Sequence, residues 1–203
     1  MVKIKICGIT NIEDALAAAD FGANALGFVF YEGSPRCISK DEARDIIKRL
    51  PPFMTTVGVF VDKNPDEIKA IMEYTSLDIA QLHGNEPPGA CLAAGRVIKA
   101  IRVKELSDLE PLRQYRVSAY LLDAYTPASF GGTGQIFNWD IAVEAKQFGN
   151  IILAGGLDPD NVKKAIKWVR PYAVDVSSGV EEKKGKKDLR KLKLFIERVK
   201  ETK

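Results

Sequence analysis

The chain has 203 residues, 46% of them hydrophobic and 28% charged, enough apolar material for one globular domain over residues 1–203 with a sizeable core. A net charge of +3 excludes a strong electrostatic case for nucleic acid. No apolar run is long enough to cross a bilayer or to act as a signal peptide, so a cytoplasmic protein with no membrane partner is expected.

In chain order, short apolar runs alternate with helical patterns. A strand at Val2–Cys7 precedes a helix at Ile12–Phe21, opened by Thr10 with Glu13 as a capping box. Ala25–Phe30 precedes Lys40–Leu50, opened by Ser39 with Glu42. Thr55–Val61 precedes Pro65–Tyr74, where Asn64 caps and proline takes the first helical position. Asp78–Leu82 leads to Pro87–Ala94, and Val97–Ile101 to Leu106–Tyr115, opened by Ser107 with Glu110. Ala119–Asp123 leads to Trp139–Phe148. Ile151–Ala154 leads to Pro159–Val169 behind the Asp158 cap, and Ala173–Val176 to Leu189–Val199. Eight strand–helix units of about 25 residues each, without a break in composition, predict a single (β/α)8 TIM barrel of the α/β class. A doubly wound open sheet is the structural alternative.

Such barrels place their chemistry at the carboxyl ends of the strands. Those ends here carry Cys7-Gly8-Ile9-Thr10, Gln81-Leu82-His83-Gly84, Leu121-Leu122-Asp123, Ala154-Gly155-Gly156-Leu157 and Asp175-Val176-Ser177-Ser178-Gly179, and the loop after the second strand adds Ser34-Pro35-Arg36. Strand parity puts Ile4 and Ile6 toward the helices and turns Lys5 and Cys7 into the barrel; Gln81 shares a face with His83, and Leu121 with Asp123. An unpaired charge inside a barrel costs several kcal/mol, so Lys5 and Asp123 need partners, either each other or a ligand. The glycine loops at Gly155-Gly156 and Ser178-Gly179 follow the seventh and eighth strands, where such barrels hold phosphate. Cys7, Cys37 and Cys91 are an odd number without CxxC spacing, and His83 is the single histidine, so neither a disulfide framework nor a metal site is expected.

Together these residues resemble the phosphoribosylanthranilate isomerase family. The likeness runs nearly end to end, through Lys5-Ile6-Cys7-Gly8-Ile9-Thr10, Gly27-Phe28-Val29-Phe30, Ser34-Pro35-Arg36, Val57-Gly58-Val59-Phe60-Val61, Gln81-Leu82-His83-Gly84, Leu122-Asp123, Gly131-Gly132-Thr133-Gly134, Gly155-Gly156-Leu157 and Asp175-Val176-Ser177-Ser178-Gly179-Val180-Glu181. The resemblance implies an Amadori rearrangement of N-(5-phosphoribosyl)anthranilate in tryptophan biosynthesis, without metal or cofactor. It implies Cys7 as general base, Asp123 as general acid and Arg36 as the contact for the anthranilate carboxylate. Gly155, Gly156, Ser178 and Gly179 would hold the phosphate, Asp175 would lie near the substrate, and His83 would bind substrate or orient a loop. Ala124-Tyr125 departs from the small polar residue expected after the acid, and Gly131–Gly134 would let a loop close over the substrate.

The chemistry needs an acid to open the ribose ring and a base to take the C2 proton. An ordinary cysteine, with a pKa of about 8.5, is only about 3% thiolate at neutral pH. A Lys5 charge roughly 7 Å away, worth about 2.4 kcal/mol at an effective dielectric of about 20, is expected to help Cys7 ionise. Two other readings compete. The Amadori isomerase of histidine biosynthesis shares the barrel but carries aspartates at both acid–base positions, and a non-catalytic phosphometabolite-binding barrel would not need Cys7 and Asp123. Cys37 and Cys91 read as structural or incidental. The lysine-rich stretch Lys183–Lys193 reads as a solvated loop and helix face, with Lys186 and Lys187 attracting an anionic substrate from a distance. Monomer and homodimer both remain open.

Overall fold

Val, Ile and Leu at alternate positions give each strand one face for the helices and one for the barrel axis, and the parallel sheet closes on that basis. The computed structural model describes residues 1–93, 95–124 and 138–202. The strands are β1 (Lys3–Cys7), β2 (Ala25–Val29), β3 (Thr55–Phe60), β4 (Ile79–Leu82), β5 (Val97–Val103), β6 (Ala119–Ala124), β7 (Ile151–Leu153) and β8 (Ala173–Val176). They pair in sequence order as a closed barrel, and β8 returns to β1 with Asp175 opposite Lys5. The open doubly wound sheet is thereby set aside. Among the described residues, no helix is long and apolar enough to cross a membrane.

The helices are α1 (Ile12–Phe21), α2 (Lys40–Ile47), α3 (Pro65–Thr75), α4 (Pro88–Ala93), α5 (Trp139–Ala145), α6 (Val162–Val169) and α7 (Leu189–Glu201). Ser39 and Glu42 form the expected capping box, and Asn64 accepts from the Asp66 N–H ahead of α3. Three expectations need correction. Asn11, not Thr10, caps α1 by accepting from the Asp14 N–H at 2.9 Å, because the Thr10 hydroxyl is engaged with the Gly185 carbonyl. The fifth helical segment is a 3-10 helix, Leu106–Gln114, entered through Asp108, whose carboxylate accepts from the Lys104 and Glu105 N–H groups. Its Pro111 lacks an N–H and would clash with the carbonyl four residues back, which disfavours the α form. Finally, Asp158 accepts from the Asp160 and Asn161 N–H groups in a turn of its own, so α6 begins only at Val162.

The core has two shells. Outside the barrel wall, Ile4, Ile6, Leu26, Phe28, Leu122 and Val174 meet helix residues such as Leu192, Phe195 and Ile196. Inside, Val57, Ile79, Ile98, Leu121 and Ile152 pack with Ala100, Ala119, Ala154 and Ala173, small residues that suit a narrow interior. Above this apolar floor the inward positions turn polar, with Lys5, Gln81, Asp123 and Asp175 all buried.

Beyond β8 comes a short 3-10 turn, Ser178–Val180, and then an antiparallel hairpin of β9 (Glu181–Lys183) and β10 (Lys186–Lys187). This corrects the reading of Lys183–Lys193 as a wholly solvated stretch. Lys187 is 1% exposed, and its ammonium binds protein groups instead of facing solvent. Lys186 pairs with Asp14 of α1 at 3.1 Å. Lys187 is therefore not a solvated cation, whereas the Lys186 side chain stays 37% exposed while paired with Asp14.

A second buried cation braces the loops at the top of the barrel. Lys99, on the outward face of β5, donates to the Glu86 carboxylate and to the Gly84 carbonyl, each at 2.7 Å. Glu86 in turn accepts from the Asp62 N–H at 2.9 Å and the Gly84 N–H at 3.1 Å. One ion pair therefore ties the loops after β3 and β4 to β5. Removing one partner strands the other's charge away from water, so Lys99→Met is expected to lower unfolding stability by about 3–5 kcal/mol in chemical denaturation.

Candidate active site

The inward residues expected at the strand ends do converge, but with different partners. Lys5 Nζ donates to Asp175 Oδ1 at 2.8 Å, not to Asp123, and both side chains are almost fully buried. Cys7, two residues further along β1, is 8% exposed and packs with Val29 and Val59. A Cβ added to Gly27 would lie 2.8 Å from Cys7 Sγ and 3.2 Å from Lys5 Nζ. The absent side chain on β2 is what lets the thiol and the ammonium share that space.

The electrostatic outcome differs from the simple picture of a lysine activating a thiol. Burial pushes the Cys7 thiol up from its ordinary value; the Lys5 cation opposes this, and the Asp175 carboxylate adds to the rise. The net direction is upward. Burial also works against the Lys5 charge, but Asp175 and Cys7 together outweigh it and hold Lys5 protonated. Lys5 supplies its attraction while shared with Asp175, so it offsets desolvation only in part.

Asp123, the penultimate residue of β6, is 6% exposed and accepts through Oδ1 from the Ala124 N–H at 2.9 Å. Its Oδ2 lies 3.4 Å from His83 Nε2. Gln81 Nε2 is 2.9 Å from His83 Nδ1; with the amide donating, Nδ1 is the acceptor and the ring proton sits on Nε2, facing Asp123. That buried Nε2 has no hydrogen-bond partner among the described residues. His83 thus stands beside the expected acid, held by a glutamine one layer lower in the barrel.

The glycine loops meet at the same opening. Gly155 and Gly156 adopt left-handed φ values of 79° and 64°, and a Cβ at Gly155 would lie 2.6 Å from Ala124 N. A Cβ at Gly179 would lie 1.9 Å from the Leu157 carbonyl oxygen, so the loops after β7 and β8 are in direct backbone contact. Asp123, Asp175, Gly155, Gly156 and Ser178 line one small cavity with Ser177, whose buried hydroxyl has no hydrogen-bond partner among the described residues.

Arg36 comes in from the loop after β2. Its Nε and Nη2 donate to the two oxygens of Glu181 at 2.8 and 2.7 Å, and both side chains are buried. Burial raises the Glu181 carboxyl, but the Arg36 hydrogen bonds and the Lys187 charge outweigh it and hold it below the usual carboxylate range. Residue order points to Arg36 but not to this partner. Glu181 ends the run Asp175–Glu181, yet nothing in residue order says that a carboxylate 145 positions away will meet the arginine. The Gly131–Gly134 loop and Tyr125 lie outside the described residues.

The fold and site define a (β/α)8-barrel enzyme with buried titratable groups and paired glycine loops at the carboxyl ends of its strands. The family model for N-(5'phosphoribosyl)anthranilate (PRA) isomerase matches residues 4–198. The N-(5'-phosphoribosyl)anthranilate isomerase of Geobacter sulfurreducens is 56% identical over 201 residues, covering 98% of this chain and 99% of its own. That of Geotalea uraniireducens is 57% identical with the same coverage. Among solved structures, the phosphoribosyl anthranilate isomerase of Thermotoga maritima superposes with a TM-score of 0.93 at 45% identity, covering 98% of this chain and 99% of that one. The chain belongs to the N-(5'-phosphoribosyl)anthranilate isomerase family.

Proposed function

We propose that in this chain Cys7 acts as general base and Asp123 as general acid in the family's reaction. The chain is an isomerase of tryptophan biosynthesis, converting N-(5'-phosphoribosyl)anthranilate to 1-(2-carboxyphenylamino)-1-deoxyribulose 5-phosphate. The histidine-pathway alternative gives way to this membership. A related solved structure, 43% identical with a TM-score of 0.89, is described as a complex with the reduced form of that product.

The supporting observation is the placement of two proton-handling side chains on inward faces near the carboxyl ends of β1 and β6, with Asp123 lining one cavity together with the glycine loops. In the proposed sequence, Asp123 gives a proton to the ribose ring oxygen as the ring opens to an iminium. Cys7 then takes the C2 proton, and the resulting enolamine tautomerises to the ketone. Neither step calls on a metal or an organic cofactor. Gly155, Gly156, Ser178 and Gly179 would hold the phosphate through backbone N–H groups, with the Ser177 hydroxyl available beside them. Arg36 would meet the anthranilate carboxylate with the part of its guanidinium that Glu181 leaves uncovered. His83 would orient Asp123, and Asp175 would fix Lys5 under the base. The protein would work in the cytoplasm, as one barrel domain.

On oligomeric state we infer a homodimer formed through the amino-terminal face of the barrel, opposite the site. Phe53 there is 99% exposed and borders a cavity of about 300 Å³ whose walls include Val57, Ile79, Ile98 and Ile152. A two-fold axis would let each copy seat its Phe53 in the other's cavity, burying a side chain worth about 1.5–3 kcal/mol on each side. One related structure is described as containing monomers generated from a dimeric Thermotoga maritima enzyme.

Turnover can be followed by the loss of substrate fluorescence. Cys7→Ala and Asp123→Asn are each expected to lower kcat by about 10²–10⁴-fold, and full activity in either would remove that residue from its role. The base must be a thiolate to work, so kcat/KM should rise with pH through the thiol's titration. Lys5 favours the thiolate, and Lys5→Met should therefore move that limb to higher pH; an unmoved profile counts against the pairing. For the dimer, light scattering should give twice the chain mass for the wild type and the single-chain mass for Phe53→Glu. A monomeric wild type would refute this assembly.

A further inference from the structure

The hairpin after β8 places one buried ammonium where three parts of the site meet. Lys187 Nζ donates to the Cys7 carbonyl at 2.7 Å, to the Ser177 carbonyl at 3.2 Å and to Glu181 Oε1 at 3.1 Å. An ammonium has three donors, and each is used. The side chain is fully buried, so no water competes for them. Burial lowers the Lys187 pKa, and Glu181 opposes that fall.

Each acceptor has a separate consequence. The Cys7 carbonyl belongs to the residue carrying the thiol, at the last position of β1. The Ser177 carbonyl immediately precedes the Ser178-Gly179 turn. Glu181 carries the two-pronged bond to Arg36. The cation itself is held from behind, since the Lys187 backbone N–H donates to Asp14 Oδ2 at 2.8 Å and the Lys186 ammonium pairs with the same carboxylate. Asp14 sits in the first turn of α1, so the hairpin is fixed to the barrel's outer layer. The arrangement is more than a hairpin needs for its own folding, because every Nζ contact except Glu181 reaches a different strand end.

We propose that Lys187 and Glu181 are positioning residues for the isomerisation: Lys187 joins the ends of β1 and β8 and orients Glu181, which aims Arg36. The inference rests on the reading of Cys7 as base and Arg36 as the carboxylate contact. Lys187 touches no reacting atom. It acts through the Cys7 backbone, the Ser177 backbone and Glu181. The groups facing the Cys7 thiol are Lys5 on β1, Asp175 on β8, Lys187 on β10 and Arg36 from the loop after β2.

The test is steady-state turnover of phosphoribosylanthranilate by the wild type, Cys7→Ala, Lys187→Met and Glu181→Gln, with circular dichroism to establish that each variant is folded. Glu181→Gln keeps the shape but removes the charge that grips Arg36, and should raise KM at least fivefold, by a larger factor than it lowers kcat. Lys187→Met releases all three acceptors and should lower kcat at least tenfold while also raising KM. It should also move the thiolate absorbance titration to higher pH, with Cys7→Ala supplying the baseline. A purely structural pair would lower thermal stability yet leave kcat, KM and the titration of the folded protein within twofold of wild type, and that result overturns the proposal. If Lys187→Met does not fold, Glu181→Gln decides alone: unchanged KM overturns the proposal, and a selective rise in KM supports it. Absence of turnover in the wild type, or full turnover in Cys7→Ala, would instead strike the functional reading on which it rests.

Discussion

Lys5 and Asp175 face each other across the seam where the last strand meets the first. A barrel interior offers an ammonium no bulk water, so the two charges satisfy each other or the seam carries a desolvation cost of several kcal/mol. Much of the site follows from that pairing. Cys7 stands one inward position above Lys5 on β1, and Ser177 stands one above Asp175 on the other side of the seam. Gly27 leaves room for the thiol beside the ammonium. Asp123 joins from β6, and the glycine turns after β7 and β8 close the remaining side.

The same arrangement recurs elsewhere in the molecule. Arg36 with Glu181 and Lys187, and Lys99 with Glu86, are also buried, the first bridging segments 145 residues apart and the second neighbouring strand–loop units. Buried ion pairs add little net stability over well-packed apolar replacements, but breaking one is expensive. Their value here lies in geometry: each fixes the relative placement of strand ends that the apolar shells alone would hold less specifically. Loops generally vary more than the elements they connect. Here the loops that carry the site are tied to strands by charge.

The repeating parts of the fold were legible in the sequence. Short Val/Ile/Leu-rich runs mark out eight strands, and strand parity turns Lys5 and Cys7 inward because Ile4 and Ile6 have to meet helices. Parity specifies a face, however, and not which strand stands opposite. Parity therefore leaves Asp123 open as a partner for Lys5, whereas Asp175, 170 residues away, holds it. Lys187 was hidden for a different reason. Within a run of lysines composition is uniform, and only the turn at Gly185 and the antiparallel pairing of Glu181 with Lys187 single out one to be buried. Local competition accounts for the helix starts. Thr10 and Asn11 both suit a cap, and the choice depended on Gly185, a residue remote in sequence.

The contact between Gly179 and the Leu157 carbonyl has a bearing on how this barrel can be cut and rejoined. Half-barrels and single strand–helix units look interchangeable when only hydrogen-bonded strands are considered. The loops after β7 and β8 are nevertheless one moulded surface, with a missing methyl on one side fitted to a carbonyl on the other. A chimaera spliced between those two units inherits halves shaped against different neighbours, and so must accept either a void or a clash at the proposed phosphate site. Splices that keep the seventh and eighth units together preserve that fit.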